Sequence, residues 1–495
     1  MLKYTGHPIV DIGAATIAAY AGKQDLASVT EADLDNIADF IEREYPNEPL
    51  KSFLVPFATN AWFNQTAFDS QPEKRAEYGQ RLLRAYRKEV PRSDEICVFT
   101  GNPASAIAFT DKLPAGRAFR QHVPLLTGEG VINFFPWGNA GLPVSGEAIL
   151  CIQAFPLGCA KCDGKLLAIH SDNPDIIYEF AKKFLDTNRR AFSLAHQSDS
   201  KKMQGTQISA KTLFIHTLLE VEQIRLDEKR EHSPFSVTAY HLSNFGKSNP
   251  LNARNSPLEI YHLPLEMTDF LSQIQTPEYK AAWSAITQRA WWLSQTKKKG
   301  GEQTSEGNND RPQRNVLYED LLRLPDGARA FIHRYFLRIP ARRSRAEDPR
   351  RGYSIKHEAG LVSWKLTELF LRKVMAMDKE RIQQIRELGD RLAAYVKEQD
   401  DKRFFTQLFD YRYNYFRTTL IRANLAHVRR GNQPLITLDP YIAVFEEGEE
   451  MASVDWRLAR DLVLVRMIEQ LHQNGWLSSH SEVIPEVPEE PELTS

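Results

Sequence analysis

Cysteine is scarce in this chain, with four thiols in 495 residues. That number excludes a disulfide-stapled scaffold and fits a reducing cytoplasm. No apolar run approaches the roughly 20 residues that span a bilayer, so no membrane partner is expected. The N-terminal stretch 1–22 is apolar, but it lacks a basic leader and Asp11 interrupts it. It does not read as a signal peptide. Charge of one sign is also missing: the net charge of −1 excludes a molecule that is basic as a whole. Catalytic signatures are absent. Gly128-Glu-Gly130 is too short for a phosphate-binding loop and no Lys-Ser/Thr follows it, and there is neither HExxH nor GxSxG. On this reading the protein is not an enzyme.

The patterning that is present predicts an α+β chain. A helix is expected over 28–45, where Ser28 and Glu31 have capping-box spacing and Leu34, Ile37 and Ile41 recur at helical intervals. Residues 1–296 read as a mixed N-terminal region. Within it, 95–170 alternates short apolar runs (Ile96–Phe99, Val131–Phe135, Ala148–Phe155, Leu166–Ile169) with Gly, Pro and Asn, which predicts a β-rich subdomain with cysteines at its loop ends. Helices are expected over 174–195 and 208–229, and strands at VTAYHL and LEIYHLPL. Residues 297–315 hold no large apolar residue and read as a mobile linker. An arginine-rich segment follows over 316–357. From 358 to 478 the stripes Ile382, Ile385, Leu388, Leu392, Tyr395 and Leu458, Leu462, Val465, Ile468, Leu471 predict a helical bundle. Residues 479–495, rich in proline and glutamate, read as a disordered acidic tail.

Charge is concentrated rather than absent. Between Arg311 and Lys356 lie twelve Lys/Arg against five acids, and eleven of the twelve are arginine. Arginine's planar fork holds phosphate bidentately and stacks on bases. Phe331, Tyr335, Phe336 and Tyr353 are interleaved, as a groove for nucleic acid would use them. The plainer reading of such a run is a solvated helix face.

The cysteines form one complete CxxC, Cys159-Ala-Lys-Cys162, and one broken one, Cys97-Val-Phe-Thr100. Two such knuckles would close a tetrahedral zinc site. Asp163-Gly164-Lys165 reads as a turn into a strand, which argues against a redox CxxC opening a helix. Cys151 is the one thiol able to replace the missing ligand. Its apolar run favours a buried structural cysteine.

Together, Lys3-Tyr-Thr-Gly-His-Pro-Ile-Val-Asp11, Cys97-x-x-Thr100-Gly-Asn-Pro103, Cys159-x-x-Cys162 and His333-Arg-Tyr-Phe-Leu-Arg338 resemble the large subunits of the CXXC-CXXC branch of type I-B CRISPR effectors. The likeness runs the length of the chain. It departs at Thr100, which leaves Cys97, Cys159 and Cys162 as a degenerate zinc site, and no other cofactor is implied.

The resemblance implies a cytoplasmic, non-catalytic subunit of Cascade, the crRNA-guided surveillance complex. Such a subunit sits beside the crRNA 5′ end and its cap subunit, with backbone and small subunits as further partners. It recognises the protospacer-adjacent motif (PAM) in double-stranded DNA, aids strand separation and R-loop formation, holds the displaced strand and helps recruit a separate helicase-nuclease. Arg334, Arg338, Arg342, Arg343, Arg345, Arg350 and Arg351 become the DNA-contacting candidates. Amide-bearing loops supply the PAM-reading candidates: Asn60, Asn64, Gln65, Asn102, Asn133, Trp137 and Asn139. Asparagines in such loops also cap turns. Met375 and Met377 precede the helical tail, and an internal start there would yield a separate small helical product, with core packing as the alternative role for both. The competing reading is a nucleic-acid-processing enzyme built on a zinc-stabilised domain.

Overall fold

A computed structural model describes residues 2–58, 61–65, 68–109, 114–119, 121–124, 140–230, 233–244, 256–292, 313–336, 364–410, 412–446 and 455–483. The fold is α+β, in two compact units: Met1–Thr268 with Ser294–Arg314, and Asp269–Leu293 with Asn315–Ser495. Residues 269–293, grouped with the N-terminal region by sequence, thus belong to the second unit. The Val131–Phe135 run, residues 297–312 of the linker and residues 484–495 of the tail lie outside the described residues.

The first unit is organised around α1 (Pro8–Tyr20). Proline at the first helical position and Asp11 in the first turn start it. Val10, Ile12, Ala14, Ala15, Ile17 and Ala18 are all buried, so the helix is apolar around most of its circumference. It packs against α4 (Gly146–Ala154) and α5 (Pro174–Gln197). The next helix, α2 (Glu31–Glu44), buries Leu34, Ile37 and Ile41 as its spacing predicts. Its capping box is Thr30 with Asp33, not Ser28 with Glu31: Asp33 N donates to Thr30 Oγ1 at 3.4 Å, and Thr30 N donates to Asp33 Oδ2 at 2.7 Å. Ser28 instead closes a short 3₁₀ turn. Further along, α3 (Pro72–Leu83) buries Leu82 and Leu83.

The region 95–170 is less β-rich than its texture suggests. Short pairs form, β1 (Arg92–Ile96) with β2 (Pro103–Ser105) and β3 (Arg117–Ala118) with β4 (Leu142–Pro143). The run Ala148–Phe155, expected as a strand, lies mostly in α4. An apolar run buried on every side carries no period to tell strand from helix. Ser145 decides it, its Oγ accepting from Ala148 N at 3.3 Å as an N-cap.

The main sheet is antiparallel, in the order β5 (Ala160–Cys162), β6 (Lys165–Ser171), β7 (Val237–Leu242), β8 (Leu258–Leu263). The strands at VTAYHL and LEIYHL therefore form as expected. Asp163 and Gly164, at φ 48° and 76°, make the two-residue turn between β5 and β6, and positive φ at both positions is what a type I′ hairpin requires. Between β6 and β7 the chain runs through α5 and α6 (Ala210–Asp227).

The second unit contains α7 (Pro277–Arg289), α8 (Val316–Leu321) and α9 (Ala328–Tyr335), then an almost continuous series of helices: α10 (Trp364–Lys373), α11 (Lys379–Gln399), α12 (Lys402–Gln407), α13 (Tyr413–Arg429), α14 (Leu438–Phe445) and α15 (Trp456–Gln473). Both predicted stripes are interior. Ile382, Ile385, Leu388, Leu392 and Tyr395 of α11 are buried, as are Leu458, Leu462, Ile468 and Leu471 of α15, with Val465 half-buried. These two helices pack on each other. Asn474 then ends α15, and Gly475 follows at φ 79°.

Candidate functional site

Of the arginine candidates, Arg334 on α9 is described, and Arg338, Arg342, Arg343, Arg345, Arg350 and Arg351 lie outside the described residues. Arg334 is already engaged: its Nη1 donates to Asp320 Oδ2 at 2.5 Å. Asp320 is buried and also accepts from Tyr335 Oη at 2.7 Å. The ion pair fixes α9 against the end of α8. Arg323 and Arg329 are exposed.

The interleaved aromatics do not form a stacking platform. Phe331, Tyr335 and Phe336 are all buried. Phe331 stacks on Phe370 of α10, with ring centroids 5.2 Å apart and planes 9° from parallel, and Phe336 meets the same ring at 5.3 Å. Proximity to arginine in sequence does not set which way a helical side chain faces. Tyr353 lies outside the described residues.

Asn64 and Gln65 are half-buried at the end of a single 3₁₀ turn, and Asn64 Nδ2 donates to Ala58 O at 3.4 Å. Asn102 closes the turn after β1, its carbonyl accepting from Cys97 N at 2.7 Å. Asn60, Asn133, Trp137 and Asn139 lie outside the described residues.

All four cysteines are buried and unbridged. Cys97 follows β1 in a turn closed by Gly101 N donating to its carbonyl at 3.0 Å. Cys159 precedes β5 and Cys162 ends it, so the complete CxxC sits on a hairpin. Cys159 Sγ donates to Phe155 O at 3.2 Å, a contact that uses the thiol as a protonated donor. Burial pushes Cys159 well up and Cys162 up to about 12. Among the described residues, no three metal-ligating side chains converge, so Cys97, Cys159 and Cys162 as placed do not supply a tetrahedral set. Thr100, at the broken position, has its hydroxyl 3.3 Å from Ser145 Oγ. Cys151 lies within α4 with its backbone against α1.

Two polar centres escaped the sequence reading. In the first, Asp11 accepts from Thr5 N at 2.6 Å, Thr5 Oγ1 at 2.8 Å and Gly6 N at 2.8 Å, and lies 3.1 Å from His170 Nε2 on β6. Burial opposes its ionisation, but these hydrogen bonds prevail and hold the carboxyl below its usual range. The Thr5-Gly6-His7-Pro8 motif is thereby tied to the start of α1. Its spacing to Asp11 was visible; the partner 159 positions away was not.

In the second, Gln153 accepts from Trp62 Nε1 at 3.3 Å and Tyr45 Oη at 2.8 Å, through its side-chain and backbone oxygens respectively, and donates from Nε2 to His122 O at 2.7 Å. His122 is buried among Phe109, Phe119 and Tyr78. Burial pulls its imidazole down to about 4. The folded state therefore takes up this proton later than the unfolded chain, whose histidine titrates near ~6.5. Stability from this group is full above that pH and falls as the pH drops toward 4. Urea titrations at pH 7 and 4.5 are expected to differ by about 2–3 kcal/mol through His122 alone. In the His122→Asn variant, whose Oδ1 can take the place of Nδ1, that part of the pH slope disappears.

The chain matches no protein-family model, no curated protein and no solved structure.

Proposed function

We propose that this chain is the large, non-catalytic subunit of a crRNA-guided type I-B surveillance complex. In this role it reads a short motif in duplex DNA, helps open the strands, holds the displaced one and helps recruit a helicase-nuclease. The observation that carries the reading is the arginine excess gathered between Arg311 and Lys356 in a chain of net charge −1. The motifs of the N-terminal region, the CxxC and His333–Arg338, in their order and spacing, supply its context. Because Arg334 is held by Asp320, the phosphate contacts fall to Arg338, Arg342, Arg343, Arg345, Arg350 and Arg351. Asn64, Gln65 and Asn102 remain PAM-reading candidates, with Asn60, Asn133, Trp137 and Asn139. Met377 stands two positions before α11, so an internal start there would begin at the edge of a helix.

Duplex binding measured by electrophoretic shift over a salt series tests the reading. The full chain is expected to bind more weakly as salt rises, with a log–log slope of about −0.9 per neutralised phosphate. Replacing Arg342, Arg343 and Arg345 by alanine should weaken binding to all sequences alike and flatten the slope by roughly 0.9 for each phosphate that is no longer neutralised. Co-purification with a crRNA and a repeating backbone subunit is the second expected result. Failure of both would remove the proposal, and Mg²⁺- or Mn²⁺-dependent cleavage by the isolated chain would favour a nucleic-acid-processing enzyme instead.

A further inference from the structure

The main sheet ends, at β8, on a strand whose outer side pairs with no other strand among the described residues. Ser243 N donates to Pro257 O at 2.8 Å, which fixes the phase of the β7–β8 ladder. In that antiparallel register residues 257, 259, 261 and 263 bond to β7, and the backbone N–H and C=O groups of Leu258, Ile260 and His262 point to the free edge. Ser256 Oγ occupies the first of these positions, accepting from Leu258 N at 3.4 Å and donating to Leu258 O at 2.8 Å. At the other end Pro264 has no N–H, and its carbonyl accepts from Met267 N and Thr268 N at 3.0 and 3.2 Å. Between these two stops, the backbone groups of Ile260 and His262 have no hydrogen-bond partner among the described residues.

Soluble proteins usually blunt such an edge by keeping it short, charging it or bulging it. The opposite edge, β5, follows that rule, with three residues and Lys161 among them. By contrast, β8 runs for six residues in unbroken register, and none of Leu258, Ile260 and His262 is a lysine, an arginine or an acid. Leu258 and Ile260 are 46% and 56% exposed, on one face of the sheet. They stand opposite Leu242 and Tyr240 of β7, so the apolar covering of that face runs from the core to the edge and meets solvent there. The other face of β8 carries Glu259 and Tyr261. Glu259 is met within its own chain by Lys165 Nζ at 2.8 Å and by the Tyr261 hydroxyl.

A strand edge of alternating donors and acceptors is its own complement under a twofold axis. With that axis perpendicular to the sheet at Tyr261, Ile260 lies opposite the partner's His262, and His262 opposite the partner's Ile260. The two pairs make four N–H···O bonds, all from groups that are open on the edge. Ser256 and Pro264 keep their present contacts. Tyr261 meets the partner's Tyr261 as an aromatic cross-strand pair. Glu259 falls opposite the partner's Leu263, so no acid opposes an acid. Leu258 and Ile260 of both copies share one face and lengthen its apolar strip. Moving the axis to Ile260 would recruit Leu258 and break its bonds to Ser256, so the register at Tyr261 is the one that costs nothing.

We propose that two copies of this chain pair antiparallel through β8 in this register, joining their four-stranded sheets into one of eight strands. The occupant is a second copy because the open set is symmetric about Tyr261 in hydrogen bonding, in apolar character and in charge. A contact of six residues a side covers far less than the roughly 1,200–2,000 Å² of a stable complex, so the dimer is weak, half-formed on the order of 100 µM. It is therefore an association of concentrated protein, or of copies held close together by other contacts. The inference goes beyond the proposed function and requires no nucleic acid.

Sedimentation of the full chain from about 5 to 500 µM tests the proposal, with the average mass expected to climb toward twice that of the monomer. Two variants should stay monomeric throughout. Ile260→Pro removes an N–H that faces the free edge, so the ladder to β7 is kept. Ile260→Lys places a charge on the edge without touching the backbone. The register is read with a new thiol, since all four native cysteines are buried. In a non-hydrogen-bonded pair the Cα atoms lie about 4.5 Å apart, within disulfide range, so Tyr261→Cys should cross-link with diamide roughly ten-fold faster than Leu194→Cys. Leu194 is the more exposed position, 63% against a half-buried Tyr261, so simple accessibility predicts the reverse order. A mass that never rises would overturn the proposal, as would association unchanged in both Ile260 variants or cross-linking no faster at 261 than at 194. Slow exchange of the Ile260 and His262 amides in a chain that stays monomeric would overturn it in favour of an occupant other than a second copy.

Discussion

Replacing Gly13 by alanine is expected to destabilise the first unit by about 3 kcal/mol or more, read as a lower urea midpoint at unchanged slope. A β-carbon at this position would lie 1.9 Å from the carbonyl oxygen of Cys151 and 2.5 Å from its carbonyl carbon. Both are backbone atoms of α4, so no rotamer change relieves the clash. Either the two helices separate or α4 distorts, and both choices loosen the packing of Val10, Ile17, Ile149 and Ile152 in the core. Alanine's better helix propensity returns at most about 1 kcal/mol. Gly205 provides the control. There the nearest atom to an added β-carbon is Lys161 O at 3.8 Å, so Gly205→Ala should leave stability unchanged or slightly raised. A Gly13→Ala protein within about 0.5 kcal/mol of wild type would show that α1 and α4 do not approach this closely.

Gly13 also illustrates where the sequence stops being legible. A glycine within an apolar helix marks some close approach, but only the tertiary structure names Cys151 as the neighbour. Elements whose period reports their burial were legible: Ile382 to Tyr395 repeats every three or four residues, and the VTAYHL and LEIYHL segments occupy paired strands as expected. The Asp163-Gly164 turn was legible because few residues adopt the left-handed conformation cheaply. Ala148–Phe155 was not, because a segment buried on every side has no polar face to set the period. The candidate site was legible as composition but not as geometry. Twelve basic residues in one stretch stand out, yet nothing in their spacing reveals that Asp320 takes Arg334, or that Phe331 and Phe336 turn inward to Phe370. Partners distant in sequence, such as Asp11 and His170, leave no local trace.

Arg117 should give the other large effect, and it too looks like an ordinary basic residue in the sequence. Its side chain is only 1% exposed. The guanidinium donates from Nε to Glu95 Oε2 at 2.9 Å and from Nη2 to Glu95 Oε1 at 2.6 Å, a bidentate pair. Nη1 donates to the carbonyls of Ala140 and Gly141, each at 3.1 Å. One side chain on β3 thereby joins β1 to the residues leading into β4, in the small subdomain that carries Cys97. Arg117→Ala would leave Glu95 without its partner and two carbonyls without this donor, at an expected cost of about 3–5 kcal/mol. Arg117→Lys should recover only part of it, because an ammonium cannot make the bidentate contact and reach both carbonyls at once. Pairing Arg117→Met with Glu95→Gln separates charge from packing. If the double variant is more stable than Arg117→Met alone, the loss comes mainly from the stranded Glu95 carboxylate. If the two are equally unstable, the missing links to Ala140 and Gly141 dominate. Hydrogen exchange at Cys97 and Asn102 gives a local readout, since the Cys97 amide bonded to Asn102 O should lose protection in Arg117→Ala before the main sheet does.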